Sequence, residues 1–200
     1  MSQHLEQLYL PHEARVAAMP ADWPITVEQV AAFCGVTDED LAAQLIASAC
    51  SYFSQRTGHQ IAQATYTQKW ETFPCELRFD WSPVQSVTWL KYYDVNGTLT
   101  TLATSNYWAS LDARPPKIIP AYGVTWPITQ YGRPESVHVQ YVAGYSDFEF
   151  VDEGIKRALF GLVSLWSKLP EPVVWNGGVP QDVPHSLDAL MGLFSMKGLR

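Results

Sequence analysis

Cysteine, positive charge and long apolar runs are all scarce in this chain, and each shortage removes a class of function. Cys34, Cys50 and Cys75 are the only cysteines among 200 residues. They form no CxxC pair and no Cys/His cluster, which argues against a structural zinc site and a disulfide framework and suits a reducing cytoplasm. Cys34 and Cys50 fall in helical patterns and are expected to be small core residues. Lys and Arg number 13 against 20 Asp and Glu, a formal net charge of -7. A broad basic surface that grips nucleic acid by neutralising phosphates is not expected. Like charge would instead let DNA slide past without sticking. The densest apolar stretch, ALFGLVSLW at 158–166, is too short to cross a bilayer and is flanked by Lys156, Arg157 and Lys168. The opening MSQHLEQLYLPHEARV lacks a basic segment followed by an apolar one, so a signal peptide is not expected and the protein should be soluble.

Catalytic signatures are missing as well. GxGxxG, GxxxxGK[ST] and GxSxG do not occur, which leaves phosphate cradling and Ser-based hydrolysis without an anchor. The glycines of WNGGV, 175–179, follow no strand-to-helix turn and read as a flexible joint. His4, His12, His59 and His185 are scattered without ligand spacing. His138 sits on a strand opposite Val137, Val139 and Tyr141 with no local partner that would make it a general base. The acidic run SDFEFVDE holds Asp147, Glu149, Asp152 and Glu153 but lacks the central Gly and terminal Glu of a calcium loop. Its simpler role is to cap the following helix with Asp152 and Glu153 and to solvate the connector. No pair of carboxylates stands out for glycoside cleavage. No catalytic residue, metal ligand or cofactor site is therefore expected.

What the chain does have is aromatic side chains, 13 % of all residues, within an ordinary 47 % hydrophobic content. That favours strands and contact surfaces. Residues 1–25 lack periodicity and read as an irregular lead-in. TVEQVAAFCGV then opens with Thr26 as a helix cap, Gln29 completes a capping box, and Gly35 stops the helix. A second helix follows in TDEDLAAQLIASACSYFSQRTG. Thr37 is its expected cap, Asp38, Glu39 and Asp40 lie in its first turn, Leu41, Leu45, Ala49 and Tyr52 form its stripe with Ile46 and Phe53 beside it, and Gly58 ends it. From about 61 to 145 short strands take over: TYTQKWETF, ELRFDW, a hairpin in VTWLKYYDVNGTLTTL turning at Asn96-Gly97, NYWASL, KIIPAY and SVHVQYVAGY. Repeated prolines suit a small sheet or barrel. A third helix runs from Asp152, with Ile155, Leu159, Leu162 and Trp166 as its stripe. The tail offers a short amphipathic segment with Leu187, Leu190, Met191 and Phe194.

The expected architecture is α+β. A small helical core of two N-terminal helices and one C-terminal helix carries a β-rich insertion and a flexible C-terminal tail. The expected segments are 1–25 as an extension, 26–60 and 151–170 as the two parts of the core, 61–150 as the insertion and 171–200 as the tail.

The order of these blocks resembles the head–tail connector, or adaptor, family of tailed phages. ITVEQVAAFCGVTDEDLAAQLIASACSYFSQRTGHQI is similar to the opening of that family, SPVQSVTWLKYYDVNGTLTTL to its next block, VHVQYVAGY with IKRALFGLVSLW to its closing block, and VPHSLDALMGLF to its tail. The resemblance covers most of 25–195 and leaves 1–24 unassigned. It implies a structural virion protein without catalysis, made in the host bacterial cytoplasm. Such a protein forms a ring, typically dodecameric, beneath the portal at the head–tail junction. The ring extends the DNA channel, passes DNA without specific binding and docks a downstream stopper or tail-completion protein. Prophages and gene transfer agents use the same part. On this reading Ile155, Leu159, Leu162 and Trp166 build the core helix and subunit interface. Leu187, Leu190, Met191, Phe194 and Arg200 bind the portal from a tail that orders on docking. The alternative is a carbohydrate-binding module or glycan-active protein, with Trp70, Trp81, Trp89, Trp108 and Trp126 as a stacking platform.

Overall fold

The computed structural model describes residues 11–18, 25–168 and 184–195. The described chain forms two compact units. One contains the strand 11–18 and residues 63–144; the other contains residues 25–62, 145–168 and 184–195. The α+β fold is as expected, with helices at both ends of the chain and a β-rich insertion between them.

In the helical unit, α1 spans Val27–Cys34, α2 Glu39–Thr57, α3 Glu153–Trp166 and α4 His185–Leu193. The capping box of α1 is formed: the Gln29 amide donates to Thr26 Oγ1 at 3.3 Å and the Thr26 amide to Gln29 Oε1 at 3.0 Å. Gly35 ends the helix at a φ of 71°, a left-handed conformation that a Cβ would strain. The cap of α2 is Asp38 rather than Thr37, because Asp38 Oδ1 accepts from the Leu41 amide at 3.0 Å. A carboxylate one residue closer to the first turn satisfies an orphan amide and meets the helix dipole directly. The buried face of α2 is also rotated from the expected stripe. Ala42, Ile46, Ala49, Cys50 and Phe53 are buried, while Leu41 is exposed. Small residues at 42, 49 and 50 let neighbouring helices approach, so the wider apolar set lost to the tighter one. The Cys50 thiol is entirely buried, and burial pushes its pKa up to about 12.

Helix α3 begins where Asp152 Oδ1 accepts from the Gly154 amide at 2.7 Å. Ile155, Ala158, Leu159, Leu162, Val163 and Trp166 are buried in one cluster with Val30, Ile46 and Phe53. The Trp166 ring meets Tyr52 edge-on with centroids 5.8 Å apart.

The β-rich unit has a five-stranded antiparallel sheet in the order β1-β2-β8-β4-β5. Its strands are β1 Pro11–Ala18, β2 Ala64–Trp70, β4 Val84–Tyr93, β5 Leu99–Thr101 and β8 Val137–Ala143. A three-stranded sheet, ordered β3-β7-β6, contains β3 Leu77–Arg78, β7 Lys117–Pro120 and β6 Tyr107–Ser110. Strand β8 lies between β2 and β4, and Val137, Val139, Tyr141 and Ala143 alternate inward as the period-two pattern requires. Strand β1 corrects the reading of 1–25 as wholly irregular. It pairs with the edge of β2 through a register broken between His12 and Arg15 and again between Val16 and Ala18. Those interruptions scramble the alternation that sequence inspection depends on. The β4–β5 hairpin turns at Asn96-Gly97 as expected, within the five residues 94–98. Asp94 Oδ1 accepts from the Asn96 and Thr98 amides, each at 2.9 Å, and only Gly97 takes a positive φ, 79°.

One buried polar side chain joins three strands. Gln68 is fully buried on β2. Its Nε2 donates to the Arg78 carbonyl at 3.2 Å, and its Oε1 accepts from the Asp80 amide at 3.2 Å and the Tyr141 hydroxyl at 3.4 Å. Each of these polar groups is thus satisfied away from water.

Candidate functional site

The structure places each candidate in a packing or capping role before any chemical one. His138 Nε2 lies 2.7 Å from the Glu135 carbonyl, and its ring meets Tyr93 edge-on. Desolvation, the largest influence, lowers its pKa. Lys69 and Lys91 flank it across the sheet, and Lys69 pairs with Glu135. Among the described residues the imidazole's hydrogen-bond partner is the Glu135 backbone carbonyl rather than a carboxylate. The acidic run behaves as a cap and a connector: Asp152 caps α3, Asp147 Oδ1 accepts from the Glu149 amide at 3.1 Å, and Glu153 binds Lys156 at 2.7 Å. Among the described residues no three His, Cys, Asp or Glu side chains group as a metal site.

The five tryptophans do not share one face. Trp70 is buried in the core, Trp81 stacks on Tyr66, and Trp126 stacks on Phe73 with centroids 4.8 Å apart. Trp89 and Trp108 stand on different sheets, the first beneath the Lys91 ammonium at 4.6 Å. A sugar platform needs coplanar exposed rings, whereas Trp70 is buried and Trp81 and Trp126 are stacked on other aromatic rings.

The apolar residues of the C-terminal segment are gathered into one docked helix. Met191 is fully buried, and Leu190 and Phe194 pack against the same helical core. Leu187 lies over Gly161 of α3, and Phe194 over Gly154. Arg56 of α2 binds Asp188 of α4 at 3.0 Å. Arg200 and the Gly177-Gly178 joint lie outside the described residues. The α3 stripe Ile155, Leu159, Leu162 and Trp166 is buried within its own unit. The surface left on the helical unit therefore comes from other residues, Phe33, Leu41, Phe150 and Leu193 among the exposed ones. Sequence reasoning missed these because an exposed apolar residue and a buried one look alike in a periodic stripe.

No protein-family model matches the chain, and no curated protein matches it. Solved structures do. A chain from the "Neck of empty GTA particle computed with C6 symmetry" superposes with a TM-score of 0.70 at 16 % identity, covering 92 % of this chain and 95 % of that one. The two chains share a fold. A chain from the "Virion of native gene transfer agent (GTA) particle" gives a TM-score of 0.69 at 16 % identity, with 92 % and 95 % coverage. One from the "Neck of native GTA particle computed with C12 symmetry" gives 0.64 at 20 % identity, with 90 % and 94 % coverage. The common fold extends over nearly the whole of both chains, so helical unit and β-rich unit are matched together.

Proposed function

We propose that this protein is a structural virion component, a ring-forming head–tail connector that docks beneath the portal and extends the DNA channel. The observation that carries this reading is the whole-length match to chains from gene-transfer-agent necks and virions. Two of those necks were computed with C6 and C12 symmetry, which supports a ring of this chain as well. The ring's partners are the portal above, neighbouring copies beside, and a stopper or tail-completion protein below.

Charge supports the channel role. Residues 63–144 carry equal numbers of acidic and basic residues, so the net charge of -7 falls outside them. An acidic wall repels DNA phosphates, and passage without adhesion follows from that repulsion. The C-terminal segment remains the portal-binding element in this proposal, but in the free subunit its apolar anchors are engaged with the helical core. Portal docking then uses the exposed Leu193 and the residues beyond it, or exchanges α4 from its own core to the portal.

The test is cosedimentation of the purified chain with the assembled portal ring of the same genome, followed by electron microscopy. A second ring stacked on the portal is the expected result. An intact portal that sediments alone would overturn the proposal.

A further inference from the structure

The connection from β7 to β8, residues 121–136, has no helix or strand of its own, yet it is fastened at several points. Trp126 stacks on Phe73, and Thr129 Oγ1 lies 3.2 Å from Thr72 Oγ1. The Gln130 amide donates to the Tyr93 carbonyl at 3.1 Å, and the Arg133 guanidinium sits 3.4 Å from the centroid of the Tyr93 ring. The Tyr93 amide donates to the Ser136 carbonyl at 2.9 Å. A loop held this way has little backbone freedom left to lose.

Its outward side chains are large and apolar. Ile128 is 79 % exposed, Tyr122 91 %, and Tyr131 fully so. Single exposed apolar residues are ordinary on any surface. Three on one anchored loop form a pre-organised contact, because tyrosine offers much area for few rotatable bonds and the backbone entropy is already lost.

Charge indicates what covers it. Between Asp112 and Glu135 the chain has no acidic residue and has three basic ones, Arg114, Lys117 and Arg133. The helical unit has the opposite bias at its α1–α2 corner. Residues 26–62 hold Glu28, Asp38, Glu39 and Asp40 against Arg56 alone. Within that corner Phe33 is 76 % exposed and Leu41 44 %, and the acids 38–40 lie between them in sequence. An apolar centre with a charged rim on each side, of opposite sign, is the pattern of a complementary interface.

We infer that the 121–134 loop of one copy docks on the α1–α2 corner of a second copy of this chain. Tyr122, Ile128 and Tyr131 meet Phe33 and Leu41, and Asp38, Glu39 and Asp40 face Arg133 and the neighbouring Arg114. The two surfaces differ, so the contact is head-to-tail, and it makes a ring where the rotation between copies closes. This names the lateral contact of the ring proposed above and rests on that reading.

The experiment uses the full chain with Cys34→Ser and Cys75→Ser as background, since Cys34 is half-buried beside Phe33. Tyr131→Cys is introduced in one preparation and Leu41→Cys in another, differing by a size tag. They are mixed with a short bismaleimide, with and without portal rings. The expected product is a mixed-size dimer that neither variant gives alone and that the Cys34→Ser, Cys75→Ser background does not give. A chain carrying both cysteines should give a ladder of higher oligomers. Ile128→Asp should abolish the products while leaving the far-UV circular dichroism unchanged. A ring stacked on the portal without the 131–41 product would overturn this contact and leave the connector role standing. The mixed product formed without portal binding would uphold the contact and remove the portal role. A Tyr131→Cys dimer in the absence of its partner variant would replace this contact with a loop-to-loop one. Absence of both ring and product would end both proposals.

Discussion

Leu187 of α4 occupies the space that a side chain at Gly161 of α3 would need: its Cδ2 lies 2.7 Å from where a Cβ on Gly161 would stand. The glycine is a seat, and α4 is docked on it. Phe194 makes the same use of Gly154, again at 2.7 Å. Gly161→Ala should be nearly neutral, because a leucine methyl swings aside and alanine favours the helix by about 1 kcal/mol over glycine. Gly161→Leu should unseat α4. Hydrogen exchange across 185–193 reads the difference, with protection lost in the leucine variant, retained in the alanine variant and partly restored by adding Leu187→Ala. Unchanged protection in Gly161→Leu would refute the seat.

Met191 is the most deeply buried residue of α4. Met191→Ala should destabilise the helical unit by about 2–5 kcal/mol, the range for emptying a buried large side chain. Urea unfolding followed by tryptophan fluorescence measures it, and Leu193→Ala, at an exposed site, is the control. For the same reason removal of residues 183–200 should lower stability as well as any portal binding. A truncation with the full chain's midpoint would show that α4 contributes nothing to the core.

Gln68 should be more costly to replace than its partner Tyr141. Gln68→Leu strands the Arg78 carbonyl and the Asp80 amide away from water, at about 1–3 kcal/mol for each unsatisfied group. Tyr141→Phe removes the hydroxyl, with its long hydrogen bond to Gln68 and its backbone contacts at Asp80 and Trp81, but leaves Gln68 holding both strand groups, a loss of about 1 kcal/mol. Equal losses in chemical denaturation would contradict the assignment of Gln68 as the joint between β2 and the segment around β3.

His138 should make the β-rich unit sensitive to acid. Its pKa is lowered in the folded protein, chiefly by desolvation, so the unfolded chain takes up the proton first. Stability from the neutral ring is complete above the ordinary histidine value of about 6.5 and is lost as pH falls below it. His138→Gln should flatten stability between pH 7 and 5 relative to the parent. An identical pH slope in both proteins would exclude the histidine as the cause.

The α+β class, the helix ends at Thr26, Gly35 and Gly58, the Asp152 start of α3 and the alternation of β8 were legible without coordinates. Capping residues and period-two alternation act over four to eight neighbouring residues, and a local interaction leaves its mark in local sequence. The apolar side of α2 was legible at Ile46, Ala49 and Phe53, but several faces were compatible with its periodicity, and only packing showed Ala42 and Cys50 buried and Leu41 exposed. Strand β1 was not legible at all, since its pairing depends on an edge supplied by residues about fifty positions away and on a register with two interruptions.

The candidate surface divides in the same way. The absence of acids from 113 to 134 and the acidic start of α2 are properties of the sequence by itself, as are the missing catalytic motifs. That Tyr122, Ile128 and Tyr131 point outward from an anchored loop, while Met191 and Phe194 turn into the helical core, was decided by the tertiary structure. Hydrophobicity states that a side chain gains by leaving water; it carries no information about whether the surface that covers it belongs to the same chain or to another. Only the three-dimensional arrangement shows which apolar residues the chain has already covered for itself.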